Sequence, residues 1–189
     1  MTHYKIRILD VGCGLNKVNG AIGIDVIKLP TVDLVHDLNR YPYPFKESSF
    51  DKVYARQIIE HLDDIPKFMD EVWRILKPRG VLHLETVHYT SHWAVQDPTH
   101  KHLINTTMFE YFDGRTKGKY QSAKYVCRCN FQITTYVSLV NFWKYLGFEY
   151  FINLINKHRG FRFIRNFWEQ NLCFIIRGKW IRVHGIAIK

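Results

Sequence analysis

The chain has little of several things. Four cysteines in 189 residues are too few for a disulfide scaffold, and none lies in a paired metal-ligand spacing. Cys13 sits in a glycine turn and Cys173 in an apolar run. Cys127 and Cys129 form a single CxC, expected on one face of a strand, with no second pair following it. Reduced structural thiols and no metal are the expectation. No apolar run is long enough to cross a bilayer, and no signal-peptide pattern precedes the first apolar segment, so a soluble, cytoplasmic protein is expected. Repeats and low-complexity linkers are absent, and the hydrophobic content of 47% suits one domain spanning 1–189.

Acidic residues are scarce in one half only. Residues 1–100 carry 12 Lys+Arg against 13 Asp+Glu, whereas 101–189 carry 15 against 4, so all of the excess positive charge lies in the second half. That half also holds 19 of the 29 aromatic residues, interleaved with charge as in KHRGFRFIRNFW (157–168). Such a surface suits an anionic partner able to stack: RNA, a nucleotide-linked sugar, or an anionic lipid surface. The alternative is aromatics in a core beneath solvated lysines and arginines.

What is present begins at ILDVGCG (8–14): an apolar strand, Asp10, and a turn through Gly12, Cys13 and Gly14. GAIGID follows, with a second acid, Asp25. Strand, acid, glycine turn, strand, acid is the order by which an open α/β sheet makes a nucleotide-type pocket at its carboxyl edge. A dinucleotide would bring pyrophosphate against this turn, where Asp10 repels it, and the GxGxxG pattern fails at Lys17. S-adenosylmethionine brings an ammonium and a sulfonium instead, which Asp10 attracts.

With HDLNRYPYPFKESSFDKVYARQIIEHL (36–62) and LKPRGVLHLETV (76–87) added, the chain resembles the class I, type 11-like S-adenosylmethionine-dependent methyltransferases. The resemblance implies an α/β, Rossmann-like, mainly parallel sheet of about seven strands with a C-terminal antiparallel pair. Residues 1–100 would be the cofactor-binding half and 101–189 a basic, aromatic substrate or cap half. It implies cofactor roles for Asp10 and the Gly12–Gly14 backbone at the methionine end, and for Asp25 with Val26 at the ribose and adenine. Asp37 with Leu38 would face the adenine edge, and Ala55 and Arg56 the methyl group. For each acid the alternative is a helix cap or loop ion pair. Two departures stand out: Asn16 where the family usually has a third glycine, tolerable because Asn enters left-handed conformations, and about ten residues between the first two strands, room for a short helix or a loop.

Strands are expected near 6–11, 21–25, 32–36, 51–56, 80–87, 125–137 and 179–189, and YLGFEYFINLI (145–155) could hold another. Asp63 or Asp64 should cap a helix with Pro66 in its first turn and Ile65, Phe68, Met69, Val72, Ile75 and Leu76 as its core stripe. A short capped helix is expected near Thr107–Phe112. The histidine-rich loop after the fifth strand, HYTSHW and DPTHKH, could wall a substrate pocket, with His61, His88 and His92 as candidates. His88 and His92 do not make a metalloprotease motif, because position 89 is Tyr89. Methyl transfer from a sulfonium needs positioning more than a triad, so no catalytic residue is assigned. A small-molecule or sugar-containing acceptor is the first reading and RNA the second; NPPY-like tetrads are absent after strand four, where Ala55-Arg56-Gln57-Ile58 stands. A non-catalytic binding module that keeps the fold is the competing class. Oligomeric state is unassigned.

Overall fold

A computed structural model describes residues 6–116, 126–156 and 159–189. Seven strands form one sheet: β1 (Ile8–Val11), β2 (Ile22–Asp25), β3 (Leu34–Val35), β4 (Phe50–Arg56), β5 (Leu76–Val87), β6 (Phe131–Leu139) and β7 (Gly178–Ala187). Their spatial order is β3-β2-β1-β4-β5-β7-β6. The first five run parallel, and β7 pairs antiparallel with both β5 and β6. This is the doubly wound order with its reversal beside β1, the place where such sheets bind ligands.

Between β1 and β2 the described chain is loop and turn rather than helix, one of the two outcomes the short spacing allows. The main helix, α1 (Ile65–Ile75), starts where expected: the Asp64 carboxylate accepts from Lys67 N at 2.9 Å, and Pro66 occupies the first turn. Its stripe of Ile65, Phe68, Met69, Val72 and Ile75 is buried against Val53, Leu82 and Leu84 of the sheet. Each such side chain contributes roughly 1.5–3 kcal/mol of transfer free energy, so Phe68→Ala is the single change most damaging to this layer. The opposite sheet face is only half covered. Lys52, Tyr54, His83 and Glu85 are partly exposed there and Arg182 and His184 exposed, around a cavity of about 270 Å³. Tyr54 stacks on His83 at 4.7 Å between centroids.

Three expectations need correction. The strand expected at 125–137 lies at Phe131–Leu139; residue 125 is outside the described residues, and Cys127 and Cys129 precede the strand in irregular chain. Asp70 of α1 holds that segment by accepting from Arg128 N and Cys129 N at 2.8 and 2.7 Å. YLGFEYFINLI makes no strand. A short helix α3 (Asn141–Tyr145) ends before Gly147, whose φ of +80° turns the chain into a second helix, α4 (Phe148–Ile152). Asn16 does not take up a left-handed conformation, whereas Arg79 does, with φ of +62°, at the last position before Gly80 in the LKPRG turn.

The C-terminal half closes over a second core. Val137, Leu139, Ile152, Trp168, Cys173 and Ile176 are its buried members, supplied by β6, α4, the wider turn Trp168–Leu172 that continues a helix α5 (Arg162–Phe167), and the residues just after that turn. Glu169 in that turn ties the half to the rest. Its carboxylate accepts from Thr106 N at 2.8 Å and from the Thr106 hydroxyl, and meets His88 Nε2 at 3.3 Å. Burial alone would raise the Glu169 pKa, but the hydrogen bonds from His88 and Thr106 outweigh it and leave the group below the usual carboxylate range.

Candidate functional site

Val11 sits opposite Ile24 on one side and Ala55 on the other, so β1, β2 and β4 end level with one another. Immediately past that line the backbone turns at Gly12 (φ +66°) and Gly14 (φ +48°). Gly12 N and Cys13 N both donate to Ile24 O, at 2.9 and 3.3 Å, which clamps the turn onto β2. A Cβ on Gly12 would lie 2.7 Å from Ile58. Gly12 therefore answers two demands, positive φ and close approach, while Gly14 answers only the first.

Asp25, at the end of β2, folds its carboxylate back onto the turn. Oδ2 accepts from Gly14 N at 2.9 Å and Oδ1 from Ile27 N at 3.1 Å. Each oxygen keeps a second lone pair, so the carboxylate is positioned by backbone and can still accept from a diol. Val26 and Ile27 beside it are 58% and 60% exposed. They form an apolar shelf of the size an aromatic base would cover. Ile27 was not singled out from the sequence, because an isolated apolar residue after a strand carries no signal of its own.

Asp10 departs from the expectation of a bare acid at the mouth. Its side chain is buried, and Oδ2 accepts from Val18 N at 2.7 Å and from Arg56 Nη2 at 2.8 Å. The same Arg56 nitrogen donates to Asn16 O at 2.6 Å, so Arg56 bridges the end of β4 to the glycine loop. Asp10 Oδ1 and Arg56 Nε are buried with no hydrogen-bond partner. Burial pushes the Asp10 carboxyl above its ordinary pKa, against the opposing pull of the Val18 amide and Arg56. The mouth thus carries a paired anion and cation, each with an unused hydrogen-bonding position.

The other expected residues divide. Ala55 is buried in β4 beside Arg56. Asp37 begins a turn, accepting from Asn39 N at 3.0 Å and meeting Arg40 Nε at 3.4 Å, which was its structural alternative. Leu38 is buried, with its carbonyl accepting from Tyr43 OH at 3.0 Å, so its side chain belongs to the core. His61 lies just past β4 with Nδ1 2.9 Å from the Thr99 hydroxyl. His88 is completely buried between Thr90 and Glu169; it holds the two halves together and lines no solvent-open wall. His92 is exposed at the start of a helix α2 (His92–Gln96), over a cleft shared with Val140, Asn141 and Lys179. The three candidate histidines therefore do not converge. The loop after β5 nonetheless returns to the site edge, where Lys101 N donates to Glu60 O at 2.8 Å and His102 Nε2 contacts Leu62 O at 2.8 Å. All four cysteines are buried and none forms a disulfide.

Comparison with known proteins bears on this arrangement directly. A family described as a methyltransferase domain matches residues 9–84, from β1 into β5. The match takes in the first four strands and most of the fifth, and leaves residues 85–189 outside it. A probable S-adenosylmethionine-dependent methyltransferase of Mycolicibacterium smegmatis is 31% identical over 96 residues, covering 42% of this chain and 37% of that protein. The mitochondrial ubiquinone biosynthesis O-methyltransferase of Bos taurus is 29% identical over 109 residues, 45% of this chain and 30% of that one. The matches thus span about a third of the length of these methyltransferases. Among solved structures, a SAM-dependent methyltransferase from Archaeoglobus fulgidus aligns over 96% of this chain and 86% of its own, with a TM-score of 0.61 at 15% identity. A phosphoethanolamine N-methyltransferase of Haemonchus contortus, in complex with S-adenosyl-L-methionine, aligns over 97% of this chain and 49% of its own, with a TM-score of 0.58 at 19% identity. These likenesses establish the methyltransferase fold. No described helix is long and apolar enough to cross a membrane.

Proposed function

We propose that the chain binds S-adenosylmethionine across the β1–β2 turn and transfers its methyl group to a small-molecule acceptor. The observation that carries this reading is the pair at the mouth. An α-amino acid is a zwitterion, and Asp10 with Arg56 is its complement: Asp10 Oδ1 lacks a donor and Arg56 Nε lacks an acceptor, both out of water. Burying such groups unsatisfied costs about 1–3 kcal/mol each, more when charged, and a ligand ammonium and carboxylate would remove that cost. Asp25 would take the ribose hydroxyls, with Val26 and Ile27 beneath the base. A phosphate-bearing dinucleotide would meet the Asp10 carboxylate instead.

When bound, S-adenosylmethionine supplies a carbon already activated by its sulfonium, so the protein has chiefly to hold the acceptor in line and exclude water. The sheet edge around Arg56, His61 and the returning 97–104 loop is where an acceptor would be held. A small-molecule or sugar-containing acceptor is favoured because this loop packs closely against residues 60–63. RNA is a second reading, supported by the basic half and by its exposed rings such as Phe142, Phe163 and Phe174.

Isothermal titration of the purified chain with S-adenosylmethionine and with its demethylated product tests the first reading. One site per chain is expected for both. Absence of binding to either would favour a non-catalytic module. Titration with a single-stranded RNA at two salt concentrations tests the second: affinity falling steeply with salt supports it, and a flat response removes it.

A further inference from the structure

Glu60, His61 and His100 each place one ligand-capable atom within 4.8 Å of the others. The three come from two places: Glu60 and His61 from the short 3-10 turn after β4 (Ile59–His61), and His100 from the loop that follows α2. The hydrogen bonds fix the protonation of both rings. His100 Nδ1 lies 3.2 Å from the Ala94 carbonyl, which can only accept, so Nδ1 carries the proton. Thr99 gives its one hydroxyl proton to Asp97 Oδ1 at 2.6 Å, so towards His61 Nδ1, 2.9 Å away, it can only accept. Each ring is thus held by an oxygen at Nδ1, which leaves Nε2 as the nitrogen a metal ion would use.

Glu60 adds a third acceptor. It is completely buried; one carboxylate oxygen receives the Thr86 hydroxyl at 3.0 Å, and the other, Oε1, is buried with no partner. Each of the three residues thus places a ligand-capable atom within 4.8 Å of the other two. Two imidazoles and a carboxylate at such spacing, each ring held through its other nitrogen by an oxygen, are what a divalent first-row metal ion requires.

We infer that Glu60, His61 and His100 form a binding site for a divalent transition-metal ion of the zinc type, at the carboxyl edge of the sheet. Three protein ligands leave at least one coordination position for water or a ligand oxygen. Glu60 lies two residues after Ile58, which packs on Gly12 of the cofactor turn, so this position adjoins the proposed acceptor side. A role in lowering the pKa of an acceptor hydroxyl there rests on the methyl-transfer reading; the metal binding does not. The Asp70, Cys127 and Cys129 group also falls within 4.8 Å, but Asp70 Oδ1 already accepts two backbone amides, so it serves as the competing site in the test.

The full chain, stripped of metal by chelator dialysis, is titrated with zinc chloride by calorimetry and with cobalt chloride by visible absorption. The expected result is one ion per chain, bound at micromolar concentration or tighter, without a sulfur-to-metal charge-transfer band. His61→Ala and His100→Ala should each abolish that binding, and Thr99→Val should weaken it roughly 10- to 100-fold by freeing the His61 ring. Circular dichroism melts of these partly exposed positions confirm that the variants fold, and Cys127→Ser with Cys129→Ser should leave binding unchanged. No stoichiometric binding to the wild-type chain would overturn the inference. So would binding that survives loss of both histidines, or that disappears with the cysteines. S-adenosylmethionine titrated into the same preparation gives a separate answer, so failure of the metal site and failure of the cofactor site are distinguished.

Discussion

From β1 to β5 the strands run parallel, and their apolar positions enter one continuous core with α1. Beyond residue 101 the chain sends side chains such as Phe109, Phe131 and Ile181 into that core and gathers a smaller cluster of six buried residues of its own, leaving Phe142, Tyr145, Phe151, Phe163, Phe167 and Phe174 exposed. The first region is folded by a repeating pattern, strand and crossover, that any sequence of its kind must satisfy. The second is folded by particular polar anchors: Glu169 to Thr106 and His88, and Arg165 to the Ile152 carbonyl at 2.8 Å and Asn153 Oδ1 at 2.7 Å. Regular hydrophobic burial is legible from a distance, whereas anchors depend on partners far apart in sequence.

The largest effect should come from cutting the anchor between the regions. Glu169→Ala leaves His88 and Thr106 without their buried partner and should lower stability by about 3 kcal/mol, read from urea unfolding at neutral pH. Because the folded Glu169 pKa is depressed, its contribution is present above the ordinary value of 4.5 and is lost as pH falls through the lower folded value. The gap between wild type and variant should therefore close in acid. An equal gap at every pH would mean that the carboxylate charge is not what joins the halves.

Gly12→Ala comes next and strikes the patterned region. A left-handed alanine with its Cβ 2.7 Å from Ile58 should cost about 2 kcal/mol and displace the turn, so that calorimetry finds no S-adenosylmethionine binding. Asp25→Ala should spare stability and weaken S-adenosylmethionine binding by about 1–3 kcal/mol, the worth of charge-assisted hydrogen bonds to two hydroxyls. Unchanged affinity would remove Asp25 from the site.

The smallest effect is the most specific. The raised Asp10 pKa means that burial penalises the charged carboxyl in the fold, so stability falls as pH rises from the ordinary 3.8 through the folded value. Asp10→Asn should therefore melt slightly above wild type at neutral pH while binding S-adenosylmethionine less tightly, and the difference in melting should vanish below pH 3.8. A variant that melts lower at neutral pH would show that the Arg56 pairing outweighs the burial cost.

The same contrast governs what could be read beforehand. The first five strands and the Asp64-capped helix with its apolar stripe were legible, because periodicity and spacing are local; the spacing between the first two strands allowed a short helix or a loop. The last two strands were legible as a pair, but the sixth was placed several residues early: YVCRCNF alternates like a strand, yet Asp70 captures the Arg128 and Cys129 amides that a ladder would have used. At the candidate site, the turn through Gly12 and Gly14 and the acid ending β2 were legible from their positions. The pairing of Asp10 with Arg56, 46 residues apart, did not, nor did the meeting of His61 with His100, because neither spacing has a local signature. His88 was misplaced for the opposite reason: a histidine in a polar-looking loop turned out to be enclosed by a segment 81 residues further on.

The central claim is that Asp10 and Arg56 together receive an amino-acid zwitterion. It is tested most directly by comparing, on the wild-type chain, the affinity for demethylated S-adenosylmethionine with that for methylthioadenosine, which keeps the nucleoside and sulfur but lacks the amino-acid end. Binding of the first at least about tenfold tighter, the worth of one or two charged hydrogen bonds, is the result expected here. Equal affinities, or no binding of either, would contradict it.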